Sequence, residues 1–365
     1  MKKFISVLIL VAIMASFCTV SAFAEGTVHS VSTLDELNTA IGNAAAGDTI
    51  KLTADIGTPS SPVSSIITIN KAITLDGAGN TLTTNGPDRA IEVACAGVTI
   101  KNLIVKSSGE RGINFNIGGK LTLDSVNVTA SHYAVNLPTG SVNADVTISN
   151  STLTSFVPVN MHGQNSKVTV SGSTLNSDDK TPNDNDTASA IHVNGNATGA
   201  SVTVTGSTLN ITSANQPAIW VATKGVTVDA SGHSVGRAQI RHGSGGTNAT
   251  LEAAIVDYTP DETLYLLCDI DLGGKIIEVA KNIIIDMDGC KITNGALKLA
   301  EGVTVTVVNW PGTEAELEQF LSGKLPVPNR YNVPSTADNS NMPLWAVLFI
   351  GFAAVALLTG KKRRA

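Results

Sequence analysis

The chain has 365 residues, enough at about 150 per domain for two domains and a sizeable core. Charged residues make up 15% and aromatic ones 4% against 42% hydrophobic, so the apolar content is chiefly Val, Ile, Leu and Ala, and 33 glycines with 13 prolines are too few and too aperiodic for a collagen-like or Pro/Gly-disordered chain. The 24 basic and 30 acidic residues give −6, with no long Lys/Arg block outside the extreme C-terminus, which argues against a nucleic-acid partner held by clustered cations.

Residues 1–24 read as a secretory leader: Lys2 and Lys3, an apolar run from Phe4 to Phe17, then Ala22-Phe23-Ala24, with cleavage expected between Ala24 and Glu25. Bulky Phe17 precedes Cys18, where a lipoprotein pattern wants a small residue, so ordinary cleavage is expected. From Ser32 to Ala46, Leu34, Leu37, Ala40, Ile41 and Ala44 recur at helical spacing behind a capping-box signature, Ser32 or Thr33 with Asp35 or Glu36 three residues later. This predicts an amphipathic helix, placed to cover the open end of a strand-rich stretch that starts at Thr49.

That stretch is repetitive. Ala90-Ile-Glu-Val, Gly112-Ile-Asn-Phe, Ala134-Val-Asn-Leu, Pro158-Val-Asn-Met, Ala190-Ile-His-Val and Ala218-Ile-Trp-Val start 22, 22, 24, 32 and 28 residues apart. Out of phase with them run Val98-Thr-Ile-Lys, Leu121-Thr-Leu-Asp, Val146-Thr-Ile-Ser, Val168-Thr-Val-Ser, Val202-Thr-Val-Thr and Val226-Thr-Val-Asp. Each period therefore holds at least two short alternating strands separated by Gly, Asn and Ser turns. One such coil cannot bury its own aliphatic row, but coils stacked at about 4.8 Å can, with the backbone pairing between coils. Period and pattern resemble the right-handed parallel β-helix of the pectin-lyase-like superfamily over roughly residues 30–246. The expected fold is all-β: a right-handed parallel β-helix solenoid with an N-terminal capping helix, plus a C-terminal transmembrane helix.

Alternation turns the aligned coils into surface rows. One outer row reads Glu92, Asn114, Asn136, Asn160, His192, Trp220 and Gln239; its neighbour reads Ala94, Asn116, Pro138, His162, Asn194, Ala222 and Arg241. Amides match sugar hydroxyl pairs and an exposed indole stacks on a sugar ring, so Asn136, Asn160, His162, His192, Trp220 and Arg241 form the candidate glycan-binding patch. The competing reading makes the amides ordinary solvated positions and packs Trp220 under a loop. The second strand carries a threonine ladder, Thr74, Thr99, Thr122, Thr147, Thr169, Thr203 and Thr227, which β-propensity explains. Two insertions, 177–188 and 209–217, border the patch, and Asp178, Asp179, Asp184 and Asp186 in the first form a weak Ca²⁺ candidate without EF-hand spacing. No other metal or cofactor is expected, since His162 and His192 lie in different rows without a converging carboxylate or Cys.

The start of the repeat then recurs. Shifted by 214, Leu37, Ala40, Ile41, Thr49, Leu52, Asp55 and Ile56 meet identical residues; shifted by 210, so do Lys71, Asp76, Gly79 and Thr83. Residues 247–310 are either a short second solenoid or a continuation of the first, and Thr313 to Leu321 reads as a closing helix. Cys268 and Cys290, 22 residues apart, either stack and bridge or remain buried thiols.

Near the C-terminus, Val333-Pro334-Ser335-Thr336-Ala337, the apolar stretch Leu344 to Thr359 and the cations Lys361, Lys362, Arg363 and Arg364 together resemble the LPXTG-type sorting signal of Gram-positive surface proteins, with Val333 replacing Leu and Ala337 replacing Gly. The resemblance implies a sortase that cuts between Thr336 and Ala337; the alternative is a retained single-span anchor with a cytoplasmic tail. The organisation is thus 1–24 leader, 25–246 β-helix, 247–323 second module or continuation, 324–341 linker, 342–360 span and 361–365 basic tail.

The two tails hold six of the 24 basic residues, leaving 18 against 30 acidic between them. The expectation is a monomeric, exported, surface-anchored protein, adhesin-like or glycan-binding, that contacts an extracellular glycan or a host or neighbouring cell surface. No catalytic residue is assigned, because the first strand's rows hold only Glu92 and the second strand's Asp124 and Asp229 stand four coils apart, about 19 Å, too far for paired-carboxylate hydrolysis. Two alternatives stay open: a secreted polysaccharide lyase or glycoside hydrolase acting on uronate-containing glycans, with Arg237, Arg241 and His242 its nearest basic group, and a passive structural spacer.

Overall fold

The computed structural model describes residues 26–86, 88–178, 188–212 and 216–325. The leader site at Ala24 and Glu25, the loop carboxylates Asp179, Asp184 and Asp186, the motif at Thr336 and Ala337 and the C-terminal span lie outside them. Among the described residues, no helix is long and apolar enough to cross a membrane.

Most of the chain winds into a right-handed β-solenoid whose coils each contribute three strands, not the two most visible in the sequence. The first sheet stacks nine strands from Val28–Val31 through Thr49–Leu52, Val98–Lys101 and Ala144–Ser149 to Thr227–Asp229. The second stacks six, from Thr81–Thr84 to Thr208–Ile211, and the third stacks eight, from Ile67–Ile69 to Val235–Arg237. Every pairing in these sheets is parallel and joins one coil to the next.

Three aliphatic columns fill the interior. Ile50, Leu75, Ile100, Leu123, Ile148, Val170 and Val204 come from the first sheet; Leu82, Val105, Val128, Leu153, Leu175 and Leu209 from the second; Ile69, Val93, Phe115, Leu137, Met161, Val193 and Val221 from the third, all buried. The second-sheet strands escaped the sequence reading because each is three or four residues long and supplies a single buried aliphatic in a mostly Thr, Ser and Asn setting.

In most coils a single residue in the left-handed region turns the chain from first sheet to second, among them Asn102 (φ 51), Ser125 (φ 56), Asn150 (φ 51) and Gly206 (φ 55). Asparagine tolerates this conformation through local side-chain bonding, which is why Asn and Gly recur there. Just beyond it runs a serine column: Ser151 Oγ accepts from Val126 N (3.1 Å), Ser173 Oγ from Ser151 N (3.0 Å) and Ser207 Oγ from Ser173 N (3.1 Å). Each hydroxyl satisfies a corner amide that the ladders leave over.

The N-terminal helix, Leu34–Asn43, packs Leu37, Ala40 and Ile41 into the same core. Thr33 Oγ1 accepts from Glu36 N (3.2 Å), and the Glu36 carboxylate reaches back to Ser32 N (2.7 Å), which resolves the two capping options. At its other end Lys71 Nζ donates to the carbonyls of Gly42 (2.5 Å) and Ala44 (2.8 Å).

From Ile240 a second buried cluster begins, distinct from the first. Strand Ile240–His242 runs antiparallel to Leu264–Leu266; the latter stacks parallel on Ile283–Asp286, which in turn stacks on Val305–Val308, while Ile270–Val279 stacks on Ile292–Leu299. The contacts that open the first core reappear here. Lys281 Nζ donates to the carbonyls of Val256 (2.7 Å) and Tyr258 (2.8 Å) at the end of helix Leu251–Asp257, as Lys71 does for the first helix. Asp55 and Asp269 each accept from a backbone N–H one coil ahead, Thr81 at 2.7 Å and Lys291 at 2.9 Å. Asp76 accepts from Ala78 N and Asn102 Nδ2, and Asp286 from Asp288 N and Asn309 Nδ2. A carboxylate–imidazole pair recurs as well, half-buried as His29 with Asp48 (3.0 Å) and buried as His242 with Glu262 (2.9 Å). The closing helix, Glu314–Leu321, has a full capping box from Thr313 and Glu316 and buries Phe320 against Trp310.

Candidate functional site

The outer row of the third sheet is not the wet, exposed face its alternation suggests. Asn114, Asn136, Asn160, His192 and Trp220 do follow one another in register, yet all are buried, Asn160 at 0% and Trp220 at 8% exposure. Asn160 Nδ2 donates to Asn136 Oδ1 (2.9 Å), Asn136 Nδ2 to Asn114 Oδ1 (2.7 Å) and Asn114 Nδ2 to Glu92 Oε2 (2.8 Å). Arg89 Nη1 donates to the same Glu92 oxygen (2.8 Å), so a one-way chain of amides ends on a charge-neutralised carboxylate. Amides that bond one another across coils need little water, which is how a polar row comes to be buried, although Asn160 Oδ1 at the open end of the chain has no hydrogen-bond partner among the described residues.

The expected exposed indole is likewise corrected. Trp220 packs with Ala222, Ala238 and Leu267, the last belonging to the stretch beyond Ile240. Its partner in register is Gly236, not Gln239, and a Cβ there would stand 2.9 Å from Trp220 Cε3 and 2.5 Å from Pro217 Cγ. Trp220 is thus the apolar pin of a seam between the two buried cores, joined by an ion pair between Lys224 Nζ and the Asp288 carboxylate. Arg241 is not in the adjoining row; it lies on the antiparallel strand, its guanidinium 4.3 Å above the Tyr265 ring. His162 is half-buried beside the ladder. Of the loop carboxylates only Asp178 is described, its N–H bonded to Ser155 O (3.0 Å), and among the described residues no three His, Cys, Asp or Glu gather as a metal site would require.

A cluster that sequence reasoning missed flanks the head of the ladder. Arg89 and Arg111 stack on successive coils; Arg89 Nη2 lies 2.6 Å from Asp88 Oδ2, and Arg111 pairs with both Asp88 and Glu110. The 22-residue spacing of Arg89 and Arg111, matching the coil period, was the available signal.

The face that does meet solvent belongs to the first sheet. Thr49, Thr74, Thr99, Thr122, Thr147, Thr169 and Thr203 stack in register and half-buried, six coil steps or about 29 Å long. Thr203 is followed by Asp229, not Thr227, because the last strand is shifted by two residues from the sequence alignment. One flank reads Lys51, Asp76, Lys101, Asp124, Ser149, Ser171 and Thr205, with Lys101 Nζ 3.5 Å from Asp76 Oδ2. The other reads Lys120, Asp145, Lys167, Ser201 and Thr227. Burial works to raise the Asp76 carboxyl, but the Ala78 N–H, the Asn102 amide and Lys101 together hold it below the ordinary value; Asp124 is lowered by the Ser149 hydroxyl and the Asn150 amide. Both stay ionised at neutral pH. Where this face turns the corner, a shallow groove of about 530 Å³ is lined by Lys51, Asp76, Asn102, Ile104, Ser125 and Asn127. Beyond it Asn176 Nδ2 donates to Thr154 Oγ1 (3.2 Å) and Asn210 Nδ2 to Asn176 Oδ1 (2.8 Å), extending hydroxyls and amides onto the second sheet.

Fold and surface together define a parallel β-helix with broad, flat polar faces. Residues 28–182 match a family described as a "Putative pectate lyase-like adhesive domain", which fits an adhesin-like surface β-helix. No curated protein and no solved structure matches the chain.

Proposed function

We propose that the protein is a surface adhesin that binds extracellular glycan through the threonine face of its first sheet and the adjoining corner groove. The observation that carries this reading is the match of residues 28–182 to an adhesive domain, over a solenoid whose outward ranks are hydroxyls, amides and alternating charges with little net sign. Hydroxyl and amide groups at a regular coil spacing pair with repeated sugar hydroxyls, and a face about six coils long can contact several units of a polymer at once. The low net charge of the face favours neutral glycans over polyuronates.

A glycan array and a cell-adhesion assay test it. Thr122→Lys with Thr147→Lys is expected to lower binding at least tenfold while the circular dichroism and melting temperature stay near wild type. Equal binding by that variant, or capture of no glycan by the wild type, overturns the reading and leaves a spacer. The anchoring proposal rests on the Val333 to Ala337 motif with its apolar span. Wall fragments carrying Thr336 joined to peptidoglycan support sortase cleavage; tail peptides beyond Ala337 recovered from membranes support the retained span.

A further inference from the structure

Three described cysteines, Cys95, Cys268 and Cys290, are free thiols. Two of them are neighbours across coils. Ile270 pairs in parallel with Ile292 and Asp271 with Thr293, and the ladder begins with Ile270 N donating to Lys291 O (2.8 Å) and Lys291 N to Asp269 Oδ1 (2.9 Å). The same step carried back two residues sets Cys268 beside Cys290 on successive coils. Cys290 Sγ already reaches back to the earlier coil, 3.8 Å from Leu266 O. Coils repeat at about 4.8 Å, inside the Cα separation of about 4.4–6.8 Å that a disulfide spans.

The first core shows that the fold does not require thiols here. By the shifts of 214 and 210, Cys268 corresponds to Ala54 and Cys290 to Asn80. Asn80 Nδ2 donates to Leu52 O (3.1 Å), the contact that Cys290 Sγ approximates at Leu266 O. A paired replacement of both positions by cysteine, adjacent in space, is what a cross-coil staple needs.

We propose that Cys268 and Cys290 are a redox pair that closes into a disulfide across two successive coils of the second core. With a small disulfide such as oxidised glutathione as oxidant, one thiolate attacks a sulfur of the oxidant and expels a glutathione thiolate; the second thiolate then attacks the mixed disulfide and expels the other glutathione. Two protein thiols are oxidised to one S–S bond and the oxidant is reduced to two thiols, which take up the protons. Burial pushes both protein thiols up, with Lys224 pulling Cys290 and Arg237 pulling Cys268 back towards the thiolate, so the exchange runs faster in mildly alkaline buffer. The bond would form beside Asp288 and Leu267, the two residues through which the second core holds Lys224 and Trp220, and would tie the coils at that seam together.

The exported chain, cleaved before Glu25 and so lacking Cys18, is expected on treatment with oxidised glutathione in mildly alkaline buffer to lose two titratable thiols and the mass of two hydrogens. Peptide mapping should recover the segments holding Cys268 and Cys290 as one linked species, with Cys95 still free, and the oxidised protein should melt at a higher temperature until dithiothreitol is added. Cys268→Ser and Cys290→Ser should each abolish the linked species and instead lose one titratable thiol, with one glutathione adduct on the remaining cysteine. Stable glutathione adducts on both cysteines of the wild type, a bridge that uses Cys95, or retention of all thiols under conditions that oxidise the urea-unfolded chain overturns the proposal; the mapping of the wild type needs no variant to fold.

Discussion

Replacing Asn136 by alanine separates a buried structural ladder from a ligand-contacting surface. Asn136 is 4% exposed, donates to Asn114 Oδ1 at 2.7 Å and accepts from Asn160 Nδ2 at 2.9 Å. Truncation removes both bonds and strands an acceptor on Asn114 and a donor on Asn160, whose side chains are 1% and 0% exposed. An unsatisfied buried polar group costs about 1–3 kcal/mol, so the pair together should cost about 3 kcal/mol. For a solenoid of this size, at roughly 2–4 °C per kcal/mol, that is a fall in melting temperature of about 6–12 °C. Differential scanning calorimetry and urea titration measure it, with Asn176→Ala as the control, since Asn176 makes the same kind of cross-coil bond on a half-buried face and should cost under about 1 kcal/mol. If Asn136→Ala melts within about 2 °C of wild type, the ladder is wet and the burial argument fails.

Trp220→Ala should cost about 3 kcal/mol or more by leaving a void against Leu267 and Ala238, and should split the unfolding transition seen by calorimetry, because the indole pins two cores together. Lys71→Met and Lys281→Met should each cost about 1 kcal/mol in urea titrations, because each lysine binds two carbonyls at a helix C-terminus. Glu262 feels a burial penalty, yet Ser244, the Thr259 N–H and His242 bring its carboxyl from 4.5 to about 2. Its folded pKa lies below its unfolded one, so the stabilisation is complete above about pH 4.5 and is lost as pH falls through 2; Glu262→Gln should flatten that part of the pH–stability curve.

The aliphatic rows were legible because alternation and a 22-residue recurrence specify which side chains face inward. The two-residue error at the last rung, where Thr203 meets Asp229, left every side chain on its correct face, since a shift of two preserves the alternation. What alternation cannot report is whether an outward face is wet. Asn136 and Asn160 read as solvent-facing amides, but their partners are one another across coils, a relation between residues 24 apart. Trp220 misled for a similar reason: its cover includes Leu267, far along the chain and in another strand system. The repeated start was visible as identities at shifts of 214 and 210, and the structure supplies their meaning, since Lys71 and Lys281, Asp55 and Asp269, and Asp76 and Asp286 make the same bonds. The antiparallel strand Ile240–His242 carried no such signal, because strand direction leaves no trace in composition.

The duplicated start also bears on mechanical load. Parallel coils stacked end to end resist a pull along the stack one coil at a time, and a coil of 22 residues peeled from its neighbour releases about 75 Å of extended chain. A pull applied at Leu325 meets the closing helix and the short second stack before it reaches Trp220 and the Lys224–Asp288 pair. Under a pull from that end the second core would lengthen in series before the long first stack, with its threonine face, loses its shape.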